Sequence, residues 1–150
     1  MNRTSVICVV AGALATGALV ASTTAGTASA SGSTRGHTLT FTTHELGSTS
    51  AGKGGHLLIE SDRAVSSGHT IGYTANTCSF DFATHQAHCY VSLARPRGQM
   101  RVRATVDVDT GTITGKVVGG TGAYQGVTGT VTGRPGSHPN VSRFSIHWKG

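Results

Sequence analysis

The stretch QMRVRATVDVD, residues 99–109, switches between apolar and polar side chains at every step. Met100, Val102, Ala104, Val106 and Val108 fall on one side of an extended chain, with Arg101, Arg103, Thr105, Asp107 and Asp109 on the other. A period of two belongs to a strand with one buried face, so a helix is excluded over this run. Similar alternation returns in HTLTFTTHE, where Leu39 and Phe41 share a face, and in RFSIHWK, where Phe144, Ile146 and Trp148 do. HTIGYTANTCSFDF alternates Ile71, Tyr73 and Ala75 against polar neighbours, and Phe80 and Phe82 continue it. HLLIESDRAV is a compact apolar run going polar, and HCYVSLA, GTITGKVVGG and GVTGTVTG complete the set. No window carries apolar residues at i, i+3, i+4 and i+7 between helix caps.

About eight short strands separated by Gly, Ser, Pro and Asp-Thr-Gly turns predict an antiparallel barrel or sandwich. Eight strands closed on themselves leave an interior that is either filled by side chains or holds one small ligand. Ala75, Ala104 and Gly115 are the small inward candidates that would leave room, and both options stay open at this level. By composition, residues 47–55, GSTSAGKGG, read as a loop.

The first thirty residues stand apart from this pattern. Arg3 precedes VICVVAGALATGALVA, an uncharged run over 6–21, and a small-residue stretch ending in Ala28-Ser29-Ala30 follows it. That is the layout of a secretory leader, and its apolar run falls short of the ~20 residues of a membrane span. The expected division is a signal peptide over 1–30, a flexible lead-in over 31–36 and one barrel domain over 37–150. The mature chain is then expected outside the cell, with no membrane association after cleavage. Removing Arg3 leaves 11 basic residues against 6 acidic ones, scattered singly except in RPRGQMRVR. That segment has no interleaved aromatics, and nucleic acid is therefore not an expected partner.

Cys8 leaves with the leader, and Cys78 and Cys89 remain. A hairpin turning at Ala83 and Thr84 puts these two opposite each other on one face, within reach of a disulfide. The rival arrangement is a metal site from Cys78, His85, His88 and Cys89. Asp107 and Asp109, followed by Thr110-Gly111, read as a turn in preference to a calcium loop.

The stretch GGTGAYQGVTGTVTG is dense in glycine, yet it does not fit a phosphate site. A β-branched run follows where a dinucleotide loop needs a helix, and no Gly-Lys-Ser/Thr occurs. Gly119, Gly120, Gly122, Gly126 and Gly129 read as structural turn positions, with Tyr124 packed over the bend.

GGTGAYQGVTGTV resembles the glycine motif of allene oxide cyclases and plant dirigent proteins. YTANTC, MRVRA and the ending Trp148-Lys149-Gly150 are similar to further family segments, so the likeness spans residues 39–150. It implies an all-β, single eight-stranded antiparallel barrel with an apolar cavity, often trimeric and working without a cofactor. Carried over by position, the cyclases' catalytic Glu falls on Glu45, and their cavity Cys falls on Cys78. Gly47, Lys53 and Gly54 replace the Asn, Ser and Pro of the water-binding set. Glu45 is thus the acid/base candidate that the resemblance implies, and without it a solvated charge beside a loop. The expected partner is a small apolar or phenolic molecule, its cyclisation or isomerisation steered by the cavity. The alternative is a non-catalytic secreted module with a filled interior, acting in surface interaction or defence.

Overall fold

The computed structural model describes residues 35–150. The leader expected over 1–30 and most of the lead-in over 31–36 lie outside the described residues. Eight strands follow in order: β1 (His37–Ala51), β2 (Leu57–Ser66), β3 (His69–Asp81), β4 (Gln86–Arg95), β5 (Gly98–Asp107), β6 (Ile113–Gly120), β7 (Thr128–Pro135) and β8 (Val141–Lys149). Each pairs antiparallel with its neighbours in sequence, and β1 closes on β8 with Phe41 opposite Phe144. Closure leaves no unpaired sheet edge, which matters for a chain this rich in β-branched residues.

The alternation of β5 places Met100, Val102 and Ala104 inside, while Val108 lies beyond the strand and is exposed. Leu93 and Met100 are the largest fully buried side chains, each stabilising the fold by about 1.5–3 kcal/mol through burial. Met100 sits at one end of the barrel, which Tyr124 and Trp148 also fill. Tyr124 meets the Trp148 ring edge-on at 6.3 Å and accepts a hydrogen bond from Arg95 Nη1 at 3.0 Å.

The glycine stretch is a bend in the wall, as its composition predicts. Gly119 sits at a register shift between β5 and β6, Gly120 lies under Tyr124, and Gly122 to Tyr124 make one tight turn before β7. Gly122 and Gly126 have φ of 58° and 73°. Gly129 has no room for a Cβ, which would stand 2.7 Å from Trp148 Cα on β8.

Two expectations need correction. Residues 47–51 are not a loop: they complete β1 and pair with residues 57–61 of β2. Backbone pairing needs no apolar side chains, and this end of β1 projects polar residues to solvent. On β3, Tyr73 and Ala75 face outward, and Tyr73 is 55% exposed. A bulge between Ala64/Val65 and their β3 partners adds Ile71 to the count, so Thr74, Asn76, Cys78 and Phe80 take the inner face.

Candidate functional site

Between Leu93, Val102 and Ile146 at mid-barrel and the opposite hairpin end lies a cavity of about 270 Å³, walled by all eight strands. Its wall is mainly apolar. Phe41 and Phe144 stack at 5.4 Å and 17° across the β1–β8 seam, and Phe80, Val91, Val106 and Ile113 extend the surface. Cys78 and Cys89 form a disulfide that is itself part of this wall. They face each other in the β3–β4 register with Cα atoms 4.0 Å apart, as the hairpin geometry predicts. The rival metal set is therefore not assembled. His88 pairs outward with Ser79, and His85 Nδ1 meets Asp109 at 3.0 Å on the exposed tip. Among the described residues no group of three or more His, Cys, Asp or Glu is placed to hold a metal ion.

One corner of the cavity is polar. Glu60 and Asp62 stand two residues apart on β2, so both carboxyls take the inner face of that strand. Asp62 is buried, and its Oδ2 accepts from Thr74 Oγ1 at 2.6 Å and from Asn76 Nδ2 at 2.9 Å. Asn76 Oδ1 is buried without a partner. The Glu60 carboxyl is pushed up from 4.5 to about 7, first by burial, then by its hydrogen bond to Asp62 and the charges of Asp62 and Glu45. A carboxyl poised there both gives and takes a proton near neutrality, which a general acid or base requires.

Glu45 is near this corner but not on the cavity wall. It lies opposite Asp62 in the β1–β2 register, is half-buried, and accepts a hydrogen bond from Ser48 Oγ at 2.6 Å. Sequence reasoning missed Glu60, Asp62, Thr74 and Asn76. The signal that could have found them was the shared parity of Thr74, Asn76, Cys78 and Phe80, which conflicts with that of Tyr73 and Ala75.

The filled interior does not hold. Of the large side chains available to plug it, Phe82 is 53% exposed, Phe80 is on the cavity wall, and Met100 and Trp148 close only the far end. Asp107 is a turn residue: its Oδ1 accepts from Thr110 N and Oγ1, both at 2.8 Å.

No protein-family model matches the chain, and no curated protein matches it. Solved structures of similar fold exist. A pyocyanin demethylase superposes with a TM-score of 0.64 at 20% identity, over 75% of this chain and 99% of that one. AbnU, described as an exo-specific intermolecular Diels-Alderase, gives 0.63 at 13% identity over 77% of this chain and 99% of its own. The Diels Alderase AbmU from Streptomyces koyangensis gives 0.62 at 19% identity, over 80% and 70%. At these identities the likeness is one of fold.

Proposed function

We propose that the chain is an exported barrel that binds one compact, largely apolar or phenolic molecule in its lumen and moves a proton on it, steering a cyclisation or isomerisation. The observation that carries this reading is the polar corner of a mainly apolar cavity wall, where burial and the neighbouring Asp62 push the Glu60 carboxyl up to about 7. Glu60 is the acid/base group. Asp62, fixed by Thr74 and Asn76, orients it, and Glu45 acts on it through charge alone. The neighbouring folds support the reading, since they are those of a demethylase and two Diels-Alderases. A cavity of about 270 Å³ is less than twice the engineered ~150 Å³ cavity that takes up benzene, so one or two small rings fit.

The test is a thermal-shift screen of the exported chain with hydrophobic carbonyls, fatty epoxides, phenols and aryl-alkyl amines, followed by chromatography of each hit for a product of unchanged mass. A stabilising ligand should be found, and Glu60→Gln should change its affinity by no more than several-fold while lowering turnover about 10²-fold or more. No stabilisation by any class would overturn the reading.

A further inference from the structure

The lumen's charge is one-sided. Among the described residues its wall holds two carboxylic acids, Glu60 and Asp62, and no Lys, Arg or His. The asymmetry extends beyond the wall. The sequence has 6 acidic residues in all, and the other four sit toward the same end of the barrel. Glu45 faces Asp62 across β1–β2, Asp81 ends β3, and Asp107 and Asp109 lie at the β5–β6 turn. Their chain neighbours Phe80, Val106 and Ile113 line the cavity. The basic residues at this end, Lys53, His56, His85, His88, Arg134, His138 and Arg143, are all exposed and off the cavity wall; Arg134 and Arg143 stand opposite each other on β7 and β8, and His85 is taken up by Asp109.

We infer that the lumen's ligand carries a positive charge, a protonated amine or similar nitrogen on a one- or two-ring apolar body. An anion would enter against like charge with no cation to receive it, and burying an unpaired charge is costly. A cation finds the reverse. Asp62 and Glu60 offer charge-assisted acceptors, the partnerless Asn76 Oδ1 accepts one more N–H, and the Phe41 and Phe144 rings offer negative π faces. This inference rests on the lumen being a ligand site and adds the sign of the ligand's charge.

The groups facing Glu60 are Asp62 on its own strand and Glu45 on β1, while β3 presents only the neutral Thr74 and Asn76. Protonating Glu60 should therefore weaken an amine and leave a neutral isostere untouched.

The experiment is an amide chemical-shift titration of the exported chain with three matched probes: 2-phenylethylamine, 2-phenylethanol and 3-phenylpropanoate. At about pH 8 the amine is protonated. It should bind at least ten-fold more tightly than the alcohol, moving the amides of Thr74, Asn76 and Ala87, and the carboxylate should move none of them. Lowering the pH to about 5, or Glu60→Gln, should shrink the amine's advantage several-fold without changing the alcohol. Equal or tighter binding of the alcohol, or binding of the carboxylate, would overturn the inference and leave the lumen-ligand reading standing. Silence from all three probes would overturn both.

Discussion

Thr74 donates its hydroxyl to Asp62 Oδ2 across 2.6 Å, between two buried residues of adjacent strands on the cavity wall. The pair ties β2 to β3 at the polar corner of the lumen and leaves Asp62 to act on Glu60. Thr74→Val keeps the shape and removes the donor. It should cost about 1–3 kcal/mol of stability, read from urea unfolding, because Asp62 then loses its buried partner.

Stability should depend on Glu60 in a defined pH window. Its folded carboxyl titrates at about 7 against an ordinary 4.5, so the folded chain holds this proton longer than the unfolded one. Stability is therefore expected to fall as pH rises from about 4.5 to about 7 and then level off. Asp81 and Asp107 run the other way. Hydrogen bonds from Thr84 and Ala83, and from Thr110, hold them below 3.8, so their contribution is lost only in stronger acid. Urea midpoints across pH for the wild type and Glu60→Gln check this: the variant should flatten the upper window alone.

Removing the disulfide should loosen both fold and site. The bridge closes a loop of 11 residues in sequence separation, which the loop-entropy relation converts to about 3 kcal/mol. Cys78→Ala with Cys89→Ala should lower the unfolding free energy by about that amount in non-reducing buffer. Because the sulfurs line the cavity, ligand affinity should fall in the same variant.

The closed end and the lumen should respond differently to truncation. Met100→Ala removes a fully buried side chain and should cost about 2–5 kcal/mol. Phe80→Ala, half-buried on the lumen wall, should cost less and weaken ligand binding more. Paired unfolding and titration measurements on both variants separate the effects.

Gly129→Ala tests the bend in the wall. Its Cβ would press first on the His147 carbonyl oxygen and then on Trp148 Cα, and the backbone shift that relieves this should cost about 1–3 kcal/mol. At Gly126 the space is open and φ is 73°, so Gly126→Ala should cost about 1–2 kcal/mol through backbone conformation alone. Thermal unfolding of both variants measures the difference.

Local chemistry along the chain determined the strands of this protein, the hairpin that brings Cys78 to Cys89 and the glycine-rich corner around Tyr124. Each depends on a period of two, a turn or a missing Cβ, and such properties act over a few neighbouring residues. Which face of β2 and β3 would point inward was a matter for tertiary structure. Leu57 and Ile59 on one side of β2 and Leu58, Glu60 and Asp62 on the other leave the alternation ambiguous, and the bulge at Ile71 reverses the parity of everything after it. Closure of β1 onto β8 then decided the matter, because only a complete ring gives Glu60 an interior in which burial can raise its carboxyl.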